Sequence, residues 1–169
     1  MLIVFAGLPG AGKSTIAAEL AKRLRAVYVR IDSIEQAIRD SGGLPNGADI
    51  GPAGYVAACR IAADNLRAGL TVIVDSVNPL NLTRDAYREV ARQAGATCLD
   101  IEVVCSDVAL HRCRVETRVA TVPGLKLPTW DQVVKRDYEA WDPPPLRLDT
   151  AHWTVAQCVE EALAAVYRT

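Results

Sequence analysis

Short apolar runs alternate along this chain with segments whose apolar positions recur at helical spacing. Leu2–Ala6 reads as a first strand, Ile16–Arg25 as an amphipathic helix and Val27–Ile31 as a second strand. Ser33–Arg39 predicts a short helix, with Ser33 able to cap it and Ile34, Ala37 and Ile38 on one face. Ser41–Gly54 holds five glycines and two prolines and reads as a loop. A long helix is expected over Tyr55–Ala68, a third strand over Leu70–Val74 and a helix over Leu82–Ala94, stopped by Gly95. Thr97–Val104 is the fourth strand, Asp107–Val119 a helix, and Thr121–Pro128 a Pro/Gly loop. A helix over Thr129–Trp141, broken by Asp142 and the three prolines behind it, precedes a short fifth strand, Leu146–Leu148. Thr154–Tyr167 is the closing helix. Continuous apolar strands alternating with helices predict a mostly parallel sheet covered on both faces.

Composition narrows the picture. The chain has 169 residues, within the range of one domain, and half of them are hydrophobic. We expect one domain over residues 1–169, with a helical lid at about 107–128. The net charge of −1 gives no broad basic footprint, so a nucleic-acid partner is not favoured. Aromatics are few; Trp130, Tyr138, Trp141 and Trp153 cluster late in the chain. The five cysteines form no C-x-x-C pair and read as small buried hydrophobes in a reducing compartment. His111 and His152 show no metal-ligand spacing and read as surface or partner-satisfied side chains. With no signal peptide and no run near the ~18 apolar residues of a spanning helix, the expectation is a soluble cytoplasmic protein, monomer or homodimer.

The chemistry begins at Gly7-Leu8-Pro9-Gly10-Ala11-Gly12-Lys13-Ser14-Thr15, between the first strand and the first helix. It meets every fixed position of the phosphate-binding pattern G-x-x-x-x-G-K-[ST]. Small residues let successive backbone N–H groups turn inward around a phosphate, and the helix behind aims its positive end at the same place. From Gly7 to Thr15 the segment is therefore the expected site for the phosphates of ATP. Lys13 reaches the outer phosphates and Ser14 can ligate Mg²⁺.

Ligands in such a sheet sit beyond the carboxyl ends of the strands. Asp75 closes Val72-Ile73-Val74-Asp75 and is the expected Mg²⁺-orienting acid; the bland alternative is a turn cap. Ser76 follows it, not an acid, which argues against a motor ATPase. No Asn-Lys-x-Asp motif is present, which argues against a GTPase. Asp32 closes Arg30-Ile31-Asp32 on the same edge, placed to take a proton from an attacking hydroxyl or merely to cap the next helix. Arg112, Arg114 and Arg118 share one expected helix. Arg114 and Arg118, four apart, are either lid arginines over the triphosphate or a solvated face paired with Glu116. Arg30, Tyr55 and Asn78, and more weakly Lys126, are candidate acceptor contacts. Asp149-Thr150 is a candidate backbone contact for adenine.

Taken in order, the phosphate loop, Arg30-Ile31-Asp32-Ser33, Val72 to Asn78, and Arg114-x-x-x-Arg118 before a Pro-containing loop resemble the polynucleotide-kinase-like branch of the P-loop kinases, an AAA-type ATPase/kinase group. The Asp32-Ser33 segment is also similar to chloramphenicol phosphotransferase, and the opening to adenylylsulfate kinases. The resemblance implies a three-layer α/β/α P-loop NTPase fold with a five-stranded parallel sheet in the order 2-3-1-4-5. It implies Asp32 as general base and Arg114 and Arg118 as lid arginines. The resulting expectation is transfer of the γ-phosphoryl of Mg-ATP to a hydroxyl of a small molecule. A nucleic-acid 5′-kinase is the nearer rival, and an ATP-binding switch with little chemistry the farther one.

Overall fold

Five apolar segments pair in parallel in a computed structural model that describes residues 1–43, 45 and 48–169. They are β1 (Leu2–Ala6), β2 (Val27–Arg30), β3 (Val72–Asp75), β4 (Cys98–Val104) and β5 (Leu146–Asp149). Their order is β2-β3-β1-β4-β5, as expected, and all four pairings are parallel. Between them run α1 (Lys13–Leu24), α2 (Ile31–Asp40), α3 (Ala53–Arg67), α4 (Asn81–Gln93), α5 (Val108–Thr117), α6 (Trp130–Val134) and α7 (Val155–Arg168). Of the loop expected over Ser41–Gly54, Leu44, Asn46 and Gly47 lie outside the described residues.

The central strand shows why both faces must be covered. Along β1, Ile3 and Phe5 enter one apolar cluster with Ile16, Leu20, Val159 and Leu163 of α1 and α7. Leu2 and Val4 point the other way, toward Ala58, Ala62, Tyr87 and Ala91 of α3 and α4. That alternation is the period-two geometry of a strand with no wet face. It fixes the sheet and puts the carboxyl ends of β1, β2 and β3 on one edge.

Two of the changes in helix bounds bear on the cleft. The first, expected at Ser33, begins at Ile31 directly from β2, so Ser33 caps nothing and Asp32 lies in the first helical turn. The second is shorter than its pattern: the expected Thr129–Trp141 helix stops at Val134. The cause is Arg84, a fully buried residue of α4. Its guanidinium takes the carbonyls of Glu139 and Ala140 at 3.0 and 3.1 Å. It also lies 3.8 Å from the Trp141 ring centroid and 5.1 Å from that of Tyr138. A buried guanidinium needs acceptors for five N–H groups, and the Glu139 N–H, which a continuing helix would give to Lys135, goes instead to the Pro79 carbonyl at 2.9 Å. The late aromatics are thus spent on a buried cation.

Replacing Arg84 by Ala strips this segment of its anchor and leaves several carbonyls without a donor. We predict a loss of about 3 kcal/mol or more in urea unfolding, with Arg84→Lys failing to restore it because one ammonium cannot span the same acceptors.

Candidate active site

The loop from Gly7 to Gly12 owes its shape to positions where a side chain cannot exist. At Gly7, φ is 130° and a Cβ would lie 2.0 Å from the Val103 carbonyl oxygen of β4. At Gly10, φ is 86° and a Cβ would strike Val115 of α5 at 2.5 Å. The backbone is therefore pressed against two elements as it turns. Pro9, Gly10, Gly12, Lys13, Ser14 and Thr15 line a cleft of about 1610 Å³. Gly7 and Ala11 stand behind that lining, Ala11 within the core.

Ties outside the motif hold the loop. The Thr150 hydroxyl, just after β5, donates to the Ala11 carbonyl at 2.9 Å. Arg114 of α5 donates to that hydroxyl at 2.7 Å and to the Thr150 carbonyl at 3.2 Å. His111, one turn earlier and buried, meets the Pro9 carbonyl through Nε2 at 2.9 Å and stands edge-on to Trp130. His111 is thus the partner-satisfied histidine expected. That its partner is the phosphate loop was not legible, because one helix turn of α5 brings it there only in three dimensions.

Lys13 opens α1 and is 7% exposed. Its ammonium donates to the Leu8 carbonyl across the loop at 3.0 Å. Burial pushes its pKa down to about 8 from the usual 10.5; Asp75 and Asp32 oppose this, while Arg118 and Arg136 add to it. A cation so placed is underpaired and calls for an anion.

Asp75 ends β3 and is 3% exposed. Tyr28 of β2 donates to its Oδ2 at 2.7 Å, and Arg30 Nε lies 3.9 Å from the same oxygen. Burial first, then Asp75, keep the Tyr28 phenol protonated far above its usual range, with the nearby Ser14 hydroxyl a small opposing influence. Ser14, Tyr28 and Asp75 thus form one cluster beneath the cleft. It suits a divalent ion carried with phosphates. Ser14 and Asp75 are the side chains here that could hold such an ion; among the described residues no three His, Cys, Asp or Glu side chains gather to hold a metal.

Asp32 lines the cleft on the facing wall, 47% exposed at its side chain, with Arg30 Nη2 at 3.4 Å from its Oδ2. Arg30 also donates to Thr121 at 2.8 Å, tying β2 to the loop after α5. Tyr55 lines the cleft, and its hydroxyl accepts from the Asn78 N–H at 3.2 Å.

Two expectations are corrected, and for Arg112 the alternative of a solvated pair with Glu116 is what the structure shows. Arg114 and Arg118 do not share a helical face: α5 ends at Thr117 and Arg118 is extended at its C-terminal cap. Both still line the cleft, but Arg114 is committed to Thr150, whereas Arg118 has a buried Nε with no hydrogen-bond partner. Arg112 points elsewhere and pairs with Glu116 at 2.8 Å. Asn78 is fully buried at φ 46°, accepts from Thr83 at 2.7 Å and lies outside the cleft lining, so it shapes the turn after β3 and is no acceptor contact. Sequence reasoning missed Glu35, Gln36 and Arg136, which line the cleft. For Glu35 a signal existed, since three residues after Asp32 puts it on the same face of a helix.

The AAA domain family matches residues 2–136. The chain belongs to that family. A provisionally assigned kinase from Chloroflexus aurantiacus superposes with a TM-score of 0.74 at 22% identity, covering 99% of this chain and 96% of that one. Kti12 of Chaetomium thermophilum, in complex with ADP-AlF3, gives 0.72 at 21% identity over 98% and 99%. The Mycobacterium tuberculosis APS kinase CysC, in complex with AMPPNP and APS, gives 0.66 at 17% identity over 98% and 96%. At these identities the likeness establishes a shared fold, that of the P-loop kinases. No helix among the described residues of this AAA-domain protein is long and apolar enough to cross a membrane.

The depressed Lys13 pKa has a defined pH signature. The folded state disfavours the charged form, so Lys13 detracts from stability below about pH 8, on the order of 3 kcal/mol, and the penalty fades between about 8 and 10.5, where the unfolded lysine titrates. Lys13→Met should therefore melt higher than the wild type at pH 7, with the gap narrowing toward pH 10. Thermal melts across that range would check it; a gap independent of pH would contradict the buried charge.

Proposed function

We propose that this protein is a kinase that transfers the γ-phosphoryl group of Mg-ATP to a hydroxyl of a small molecule. The observation that carries the reading is the buried, underpaired Lys13 in a phosphate loop, facing the Asp32 carboxylate across one cleft. Two of the similar structures support it by what they hold: ADP-AlF3 in Kti12, and AMPPNP with APS in the APS kinase.

Each residue has a part. The inward amides of Gly10 to Ser14 and the Lys13 ammonium bind the β- and γ-phosphates. Ser14 and Asp75 would hold Mg²⁺, which when bound neutralises phosphate charge, and Tyr28 fixes the orientation of the Asp75 carboxylate. Asp32 takes the proton of the acceptor hydroxyl as its oxygen bonds to the γ-phosphorus and the bond to the β-phosphate oxygen breaks, leaving ADP. Arg118, with its unpartnered Nε, offers donors to the charge that develops on the transferred group. Thr121 and Gly124 lie against Arg30 and Gln36, so the loop after α5 roofs the acceptor end and limits water. The position after Asp75 fits transfer rather than hydrolysis: it holds Ser76, whose hydroxyl donates to the Phe5 carbonyl at 3.5 Å, and not a second acid to polarise water.

ATP consumption with Mg²⁺ across a panel of hydroxyl compounds, nucleosides and 5′-hydroxyl oligonucleotides tests the reading. We expect stimulation over a slow basal rate by one small-molecule class. Asp32→Ala should retain nucleotide binding and lose transfer by about 10²-fold or more, the scale of a general base. Transfer at near wild-type rate in Asp32→Ala would remove Asp32 from that role. A flat panel with tight ATP binding would favour a switch.

A further inference from the structure

The cleft is more positive than a nucleotide requires. It is lined by seven cationic and four acidic side chains, in a chain whose net charge is −1. The surplus of three exceeds the roughly two negative charges of a magnesium-bound triphosphate. Several of the cations are already engaged. Arg30 is tied to Asp32 and Thr121, Arg114 to Thr150, and Arg39 donates to the Ala48 carbonyl at 3.1 Å. Lys13 and Arg118 serve the phosphates in the reading above. That leaves Lys126 and Arg136, for whose side chains no hydrogen-bond or ion-pair partner occurs among the described residues.

Their placement is specific. Arg136 follows α6 and faces the wall built by Glu35 of α2 and Tyr55 of α3. Its charge acts on Lys13, Glu35 and Tyr55, which line the same cleft. Lys126 enters the same cleft from the loop that contacts Gln36 through Gly124. Resting on the kinase reading, we propose that the acceptor carries an anionic group, a carboxylate, phosphate or sulfate, beside its reacting hydroxyl, and that Arg136 with Lys126 binds that group.

The wall opposite completes a recognition site. Glu35 is packed so closely against α3 that a Cβ at Gly54 would lie 2.5 Å from its Cγ. Burial, then Asp32, raise its pKa, and it offers hydrogen bonds to a second hydroxyl of a polyol acid. Two unpartnered cations on the lining of one cleft match a single compact anionic group. A polynucleotide, with a charge at every nucleotide, requires a track of them. Neutral and cationic acceptors leave Arg136 and Lys126 unmatched.

The test separates the two layers of the argument. The wild-type protein is first saturated with AMPPNP and Mg²⁺, then titrated with inorganic phosphate by calorimetry. Phosphate should bind once per AMPPNP-loaded chain, at least ten-fold more weakly in Arg136→Gln and more weakly in Lys126→Gln. Arg60→Gln, on the outer face of α3 beside Cys59 and Asp64, is the control and should bind phosphate as the wild type does. In turnover assays, glycerate should stimulate ATP consumption more than glycerol, and gluconate more than sorbitol. AMPPNP binding without a second anion, or phosphate affinity unchanged in Arg136→Gln, overturns this proposal alone. Greater stimulation by the neutral partner does the same. Oligonucleotide binding with a slope of many released ions replaces it with the nucleic-acid reading. Failure to bind AMPPNP removes the nucleotide reading, and this one with it.

Discussion

A lysine ammonium held out of water at the neck of the phosphate loop is the constraint on which the site depends. Lys13 keeps one intramolecular acceptor, the Leu8 carbonyl, and no carboxylate in direct contact. Such a charge is costly, and only a rigid surround keeps the loop from relaxing to hydrate it. The surround is therefore built from outside the motif. Gly7 is pressed on Val103, Thr150 holds Ala11, Arg114 holds Thr150, and His111 meets Pro9. The ends of β4 and β5 and the whole of α5 thus shape a loop that lies after β1. The cation is preorganised and unsatisfied, which is the state in which a phosphate gains most from meeting it.

The carboxylates around that charge divide by how they are satisfied. Asp75 sits deep, fixed by Tyr28 and close to Arg30, and can only orient what lies above it. Asp32 is half-exposed in the first turn of α2, where the helix dipole favours its charge and the cleft leaves it access to a proton. The two-residue shift in the start of α2, from Ser33 to Ile31, matters here. Because β2 runs straight into α2, Asp32 and Glu35 fall one above the other on the face toward the cleft.

Legibility follows how local each determinant is. The strands, their order and the phosphate loop could be read because continuous apolar runs and the Gly-Lys-Ser spacing act over a few residues. The shortened helix before the prolines could not. Its pattern is helical to Trp141, and the override comes from more than fifty residues away, where the Pro79 carbonyl takes the Glu139 N–H and Arg84 donates to the carbonyls of Glu139 and Ala140. Asn78 misled for a similar reason: a polar residue after a strand end resembles a ligand contact until Thr83 and a positive φ bury it as a turn. Arg114 and Arg118 both line the cleft, yet with different contacts. Thr150, whose hydroxyl decides this, is invisible from the helix that carries Arg114.

The shortened α6 has a consequence for the acceptor end. Had the helix continued, Arg136 would sit mid-helix, with its direction set by the helical phase of its neighbours. As the chain runs, Arg136 lies just past the last turn, between the α6 capping box at Thr129 and the Arg84 anchor at Glu139 and Ala140. Both flanks are held, so the residue between them is aimed by the fold and not by its own contacts. With its flanks held, the backbone here loses little freedom on binding an anion, and the exposed side chain gives up its rotamer freedom but no partner. The same buried arginine that breaks a helical pattern in the C-terminal third of the chain thereby contributes to how the far wall of the cleft is charged.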